Sequence, residues 1–434
     1  MKPITRRTLY VMLTVFSLVF AAFIVMKGKD KSEFPVLKER TGVLANDPEW
    51  VTVKATYAKL RKDLDAKPED KKTLLTLAKT FMQEGRVTGN FSYYNKAALD
   101  MVELVLKKDP TDLEAICLKA MTFLSQHRFA EAKELAEKAA QLNPHYSFVY
   151  GLLCDANVEM GNYTEAVASA DKMVSTRPDI RSYSRVSYLR EIHGDVPGAI
   201  EAIKMAVSAG YPGAEDKSWA RMVLAHLYED SNELDKAEEQ YQITLSERPE
   251  YPFALAGLGK IAHYKKEYPK AIEYYEKAKV VMADASFFEE LIDLYRLNGQ
   301  TAKADECARI TIDALLSDNI SAAKDKSLGH YSDMDLANLY LKTNQFEKSL
   351  QHAKAEQQRR PNNIDAAETL AKVLFKMGKS AEAAPLIETA LRTNSQKPER
   401  LVLAGRVKTA VGQPAEGEAL IAKGMALKPY MEQE

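Results

Sequence analysis

The chain has 434 residues, of which 46% are hydrophobic and 28% charged, a composition that excludes intrinsic disorder and suits a largely helical body. Its 60 basic and 61 acidic residues leave a net charge of -1, so charge gives no reason to expect a nucleic-acid partner. Cys117, Cys154 and Cys307 lie far apart without a CxxC pair, which predicts neither a disulfide framework nor a zinc site. They are expected to be small buried hydrophobic residues.

The first predicted element is the apolar run from Leu9 to Met26, which contains no charged residue. At about 1.5 Å per residue, a helix of this length nearly spans a hydrocarbon core of about 30 Å. The run therefore predicts one transmembrane anchor after a tail at residues 1–8. A cleaved signal peptide is the alternative, but Ala21 and Ala22 form a poor cleavage motif. Basic residues flank the run on both sides, and the paired arginines of the short tail favour a body outside the cytoplasm.

A tether and a capping helix are predicted next, at residues 27–46 and 47–66. Asp47, Pro48 and Glu49 are typical of a helix N-cap and first turn. The amphipathic pattern that follows predicts a helix that covers the first face of the body.

Small residues then recur at a nearly constant interval from residue 67 to residue 430. Ala132 and Ala166, for example, are 34 residues apart. Each lies in a second helix that follows a first helix and a turn, and a glycine that tolerates left-handed backbone angles often marks the turn. The later small residues are Ala199, Ala237, Ala271, Ala304, Ser349, Ala383 and Gly417. The turn glycines are Gly161, Gly194, Gly299, Gly378 and Gly412.

Three insertions interrupt this series, near residues 86–96, 210–218 and 317–333. The first insertion carries Phe91, Tyr93 and Tyr94, which are expected to be exposed. The insertions either bend the body, form a contact loop or lengthen the helices and loops that they interrupt. Longer helices and loops are the favoured interpretation.

The pattern resembles the tetratricopeptide repeat family, whose unit is 34 residues long and has small, aromatic and proline signature positions. The best matches include Leu258 with Gly259, Ala271 with Tyr275, and Tyr241 with Pro249. The resemblance implies an all-α fold, a right-handed superhelical solenoid of about ten helical hairpins, preceded here by one transmembrane helix.

In that family, extended peptides or partner helices lie in a concave groove that the first helices form. Carrying the family's groove positions over to this chain gives the candidate partner-binding residues Phe148, Asp155, Arg181, Tyr188, Trp219, His226, Phe253, Lys260, His263, Asp293, Tyr331 and Asn338. Four first helices begin with one of the aromatic members of this set, and aromatic side chains at a concave face are the usual source of binding energy. The fifth positions lack the lysines and asparagines with which some members clamp a terminal carboxylate.

Motifs for catalysis are missing from the sequence, which has no phosphate-binding loop, nucleophile elbow, HExxH pair or dinucleotide fingerprint. Seven histidines are scattered along the chain, and only His226 and His263 are expected to share the groove. No catalytic residue, metal site or cofactor is predicted. Since the repeats leave only the anchor, tether and cap outside them, an enzyme with an attached repeat domain is not expected.

The function predicted from the sequence is a membrane-anchored, single-pass scaffold or adaptor that recruits partner proteins, with its solenoid in the periplasm or another extracytoplasmic compartment. The segment from Leu60 to Glu84 looks similar to membrane-anchored repeat proteins of cytochrome c maturation, which favours a role in assembling an envelope complex. The alternative is a docking receptor on a membrane surface that faces the cytosol, because the flanking charges are nearly balanced.

Overall fold

The computed structural model describes residues 34–431, and the chain divides into two compact units, Met1–Lys38 and Glu39–Glu434. The predicted anchor, Leu9–Met26, and the tail before it lie outside the described residues. Within residues 34–431, no helix is both long enough and apolar enough to cross a membrane.

Helices make up the described chain: residues 34–431 contain 21 α-helices, a short 3-10 helix at Gly42–Asn46 and no strand. The helices are Pro48–Ala66 (α1), Lys71–Thr88 (α2), Phe91–Lys108 (α3), Leu113–Ser125 (α4), Phe129–Leu142 (α5), Ser147–Glu159 (α6), Tyr163–Thr176 (α7), Ile180–Ile192 (α8), Val196–Ala209 (α9), Glu215–Glu229 (α10), Leu234–Glu247 (α11), Pro252–Tyr264 (α12), Tyr268–Val281 (α13), Ala285–Leu297 (α14), Thr301–Lys324 (α15), Asp333–Lys342 (α16), Phe346–Arg359 (α17), Ile364–Lys376 (α18), Ser380–Leu391 (α19), Pro398–Ala410 (α20) and Pro414–Leu427 (α21).

Helices α2 to α21 pair in chain order into ten hairpins, which confirms the predicted all-α repeat architecture. The small residues of the sequence series are buried where the two helices of a hairpin meet; Ala166 and Ala237, for example, are 0% exposed. The predicted turn glycines have the left-handed backbone they were expected to have, with φ of +74° at Gly161 and +88° at Gly412. His127, at φ 58°, occupies the same turn position in the second hairpin.

The first insertion lengthens two helices instead of forming a loop. Helices α2 and α3 have 18 residues each, and only Gly89 and Asn90 separate them. The expected exposure of Tyr94 is therefore wrong: its side chain is 1% exposed, and its ring stacks on Phe81 at 6.0 Å. Phe91 and Tyr93 are half-buried on the same helix.

Part of the predicted tether also packs into the helical unit. The Arg40 side chain is fully buried and its Nε donates to Glu84 Oε2 at 2.9 Å. The Arg40 guanidinium also lies over the ring of Trp50 in α1, 5.0 Å from its centroid. The capping helix α1 begins at Pro48 with Asp47 as its N-cap, and this buried ion pair fixes it against α2.

The hairpins wind into a superhelix whose second turn packs directly on its first. We call residues 47–250 the first ring and residues 251–431 the second ring. Most hydrogen bonds between the rings join residues that are about 200 positions apart, as in Lys428 to Asp230, 198 positions, and Asn363 to Val158, 205 positions. These separations correspond to six hairpins.

The contact between the rings, which we call the seam, repeats with the hairpins. The turn inside each of the first four hairpins meets the loop that precedes the hairpin six places later, and the turn of the fifth hairpin meets the residues that follow α21. The pairs along the seam are Gly89 with Met282, His127 with Tyr331, Gly161 with Asn362, Gly194 with Asn394, and Asp230 with Lys428. Because the pairs recur along the whole first ring, the two rings form one continuous wall.

Candidate partner-binding cavity

A cavity of about 1570 Å³ lies inside the first ring, lined by the first helices of its hairpins. Small-molecule pockets measure about 300–1,000 Å³, so this volume suits a larger ligand. Five of the residues predicted for the groove line it together, Phe148, Asp155, Arg181, Tyr188 and Trp219. Tyr146, which the sequence reasoning did not select, lines it too.

Aromatic side chains open to solvent lie near the starts of the first helices. Trp219 is 42% exposed and Tyr146 is 37% exposed. Trp219 packs edge-on against Phe253 at 5.3 Å, and Phe253 packs in the same way against Phe287 at 5.4 Å. Phe287 is 2% exposed, so this stack joins Trp219 to the buried core and holds its ring in a fixed position.

The charged groups of the cavity wall are mostly paired with one another. Arg185 Nε donates to Asp155 at 2.7 Å and to the Gly151 carbonyl at 3.2 Å. Burial lowers the pKa of Arg185, but Asp155 outweighs it and the pKa is raised overall. Among the described residues, Arg181 is exposed and its guanidinium has no carboxylate partner.

Glu159 lines the cavity and also takes part in the seam. Burial raises the pKa of Glu159 to about 7, although Arg360 of the second ring forms an ion pair with it and opposes that shift. Burial also raises the pKa of Tyr188 well above its ordinary value.

Four more of the predicted groove residues are polar and lie on helices between α10 and α16, and they do not line this cavity. Lys260 pairs with Glu229 at 2.9 Å. His263 Nδ1 lies 3.7 Å from Glu290, and Lys342 pairs with Asp293. His226 lies beside them, and desolvation by the surrounding helices lowers its pKa.

The last three predicted residues have different positions. Phe253 is half-buried in the aromatic stack, and Asn338 is half-exposed on α16. Tyr331 lies at the seam, where its carbonyl accepts a hydrogen bond from His127 Nδ1 at 2.8 Å and its ring packs under Arg359 at 4.6 Å.

Ion pairs that close the first ring were not predicted from the sequence. Arg248 donates to Glu49 at 3.2 Å and to the Gly213 carbonyl at 3.0 Å, which joins the last hairpin of the ring to α1. Arg86 pairs with Glu215 at 2.9 Å nearby. Because these partners are far apart in the chain, no local pattern identifies them. Among the residues that the structure describes, no three metal-ligating side chains are grouped.

Comparison with known proteins identifies the repeat and little beyond it. Family models described as tetratricopeptide repeat match residues 123–190, 222–286 and 334–398. The human protein O-mannosyl-transferase TMTC1 is 26% identical over 181 residues, which cover 41% of this chain and 20% of that protein. The chain thus matches about a fifth of that relative's length.

Two solved structures are similar at low identity. A thermophilic TPR protein of Thermus thermophilus is 23% identical, with 44% of this chain and 97% of that chain covered and a TM-score of 0.38. The human IFIT1 dimer with PPP-AAAA is 15% identical, with 88% and 87% covered and a TM-score of 0.45. The ten hairpins and the three matched ranges show that this chain carries tetratricopeptide repeats.

Proposed function

We propose that this protein is a scaffold that binds an extended segment of a partner protein inside its first ring. Tetratricopeptide repeats suggest a protein–protein interaction scaffold, and a stack of hairpins offers a continuous inner surface for such contacts. The observation that carries the proposal is the cavity of about 1570 Å³ with the exposed Trp219 in its wall.

The chemistry of the cavity wall favours a peptide with apolar or aromatic side chains. Trp219, Phe148 and Tyr146 offer rigid apolar surface, and residues of this kind dominate the energetics of protein interfaces. Since the neighbouring charges are mostly paired already, an apolar segment binds there without leaving a buried charge unpaired.

A binding experiment with defined probes tests this function. Linear peptides selected from a random library against the protein are labelled, and their Kd is measured by fluorescence anisotropy. Trp219→Ala is expected to weaken binding by about 2 kcal/mol, or about 30-fold, because it removes the exposed anchor.

Tyr211→Ala is the matched control for this experiment. Tyr211 is 82% exposed, but it does not line the cavity. Its substitution is expected to leave the Kd unchanged. Failure to select any peptide, or equal binding by the Trp219 variant and the wild type, would contradict the proposed function.

The proposal includes membrane anchoring through Leu9–Met26, with the superhelix outside the cytoplasm and a role in assembling an envelope complex. Its support is the uncharged run in the sequence and the paired arginines before it. Reporters placed after Glu434 test this topology: one is active only outside the cytoplasm and the other only in the cytosol. Signal from the cytosolic reporter would instead favour the docking receptor that faces the cytosol.

A further inference from the structure

The seam leaves no space between the two rings for a polypeptide chain. A Cβ at Gly161 would lie 2.2 Å from the carbonyl oxygen of Asn362, and a Cβ at Gly194 would lie 2.5 Å from that of Asn394. Two backbones at hydrogen-bonding distance are about 4.8 Å apart, so a third backbone does not fit between surfaces this close.

Hydrogen bonds hold this close approach in place. The Arg392 guanidinium donates to the carbonyls of both Gly161 and Asn362, one on each ring. Asn363 Nδ2 donates to the Val158 carbonyl at 3.3 Å, and the backbone N–H of Ile364 donates to Tyr163 Oη at 3.0 Å. At these turns the two rings are therefore bonded directly to each other.

The first ring is also closed at its starting point. The Arg248 guanidinium bridges Glu49 of α1 and the carbonyl of Gly213, while Glu215 accepts from Arg86 of α2. An open solenoid would have a gap here, through which a loop or a helix of a folded partner could slide sideways. Here these ion pairs join the first helices of the ring to its last hairpin and bridge that gap.

From this geometry we infer that the partner segment enters the first ring end-first, so the ligand is a free, unfolded chain terminus rather than an internal loop or a helix of a folded domain. The inference rests on the proposed function and specifies its partner. The exposed part of the cavity wall, with Trp219 and Arg181, receives the terminus, and the other end of the segment remains outside the ring.

One selected peptide, fused to folded domains at one or both ends, tests the inference on the wild-type protein. The peptide is compared free, fused at its amino end to a small folded domain, fused at its carboxyl end, and fused at both ends. The doubly flanked peptide is expected to bind at least about 30-fold more weakly than the free peptide. At least one singly flanked peptide is expected to bind as the free peptide does.

Two results would overturn the inference while the proposed function stands. Binding of the doubly flanked peptide with the affinity of the free peptide would show that the ring admits an internal segment. Loss of affinity from both singly flanked peptides would show that the domains obstruct the surface from either side, which is incompatible with one end remaining outside. If no free peptide binds, the proposed function itself fails.

Discussion

In the first ring, the turn residue of each hairpin has to meet two structural requirements. It must adopt a left-handed backbone, and it must leave room for the loop of the second ring. Gly161 and Gly378 have the same φ of +74°, but only Gly161 has another ring beside it; nothing lies within 4 Å of a Cβ at Gly378. This pair separates the cost of the backbone angle from the cost of the seam.

Alanine at these two positions is therefore expected to give unequal losses of stability. Gly378→Ala should lower the free energy of unfolding by about 1–2 kcal/mol, the cost of a left-handed alanine. Gly161→Ala should lower it by that amount plus about 1–3 kcal/mol for displacing the Asn362 backbone. Urea unfolding measures both, and equal losses would show that the rings do not touch at Gly161.

His127 makes the seam sensitive to pH. Burial, and after it the nearby His330, lowers the pKa of His127 to about 4, while the hydrogen bond to the Tyr331 carbonyl and the carboxylate of Glu356 act in the opposite direction. Arg360 lowers it slightly further. The neutral imidazole is therefore the form that the folded protein keeps.

The sign of the pH effect follows from that shift. An unfolded histidine has a pKa of about 6.5, so the unfolded chain binds more protons than the folded one between about pH 6.5 and about pH 4. The contribution of His127 to stability is complete above this window and is lost as the pH falls through it. His127→Asn, which tolerates the left-handed turn, is expected to reduce the difference in unfolding free energy between about pH 7 and about pH 5. An unchanged difference would assign the pH dependence to other groups.

At the scale of elements, α1 is held by a buried ion pair as well as by apolar packing. The side chains of Arg40 and Glu84 are both 0% exposed, and Trp50 packs beneath the guanidinium. Removing one partner of such a pair leaves the other charged and buried, which is costly.

Arg40→Ala is accordingly expected to lower the free energy of unfolding by about 3–5 kcal/mol. Lys54→Ala is a matched control, because Lys54 also lies over the Trp50 ring, at 5.3 Å, but is 47% exposed and pairs with the exposed Glu39. Lys54→Ala should lower the free energy of unfolding by less than about 1 kcal/mol. Thermal unfolding compares the two, and a small effect of Arg40→Ala would mean that α1 docks without the pair.

The elements themselves were largely predictable from the sequence, for a local reason. The spacing of residues such as Ala166 and Ala237 reports the packing within one hairpin, and Gly161 reports its turn, so short-range patterns were sufficient. Tyr94 was wrongly expected to be exposed because it lies in the insertion between the two helices of the first unit, but those residues extend α2 and α3 with the apolar face intact.

At the scale of the whole described body, the rings and their seam were not predictable. Five of the predicted groove residues line one cavity, but Tyr331 lies at the seam. The seam partners are about 200 positions apart and include backbone carbonyls and glycines, which carry no complementary sequence pattern. How tightly a superhelix winds depends on small rotations summed over many hairpins.

Weakening the seam is expected to loosen the winding. Arg360 pairs with Glu159 across the rings and packs over Phe129 at 5.2 Å, so Arg360→Ala should increase the radius of gyration measured by small-angle X-ray scattering. Arg309→Ala removes an exposed pair with Asp313 inside α15 and should leave it unchanged. The same radius for both variants and the wild type would mean that this ion pair does not hold the rings together.

The seam also changes how such a protein tolerates the gain or loss of a repeat. In an open array each hairpin contacts only its neighbours, so duplication or deletion of one unit is a local event. Here the turn of Gly194 has to meet Asn394 and that of Asp230 has to meet Lys428. One additional hairpin between them would put every later loop opposite the wrong turn. The number of hairpins per turn is thus a fixed property of this chain.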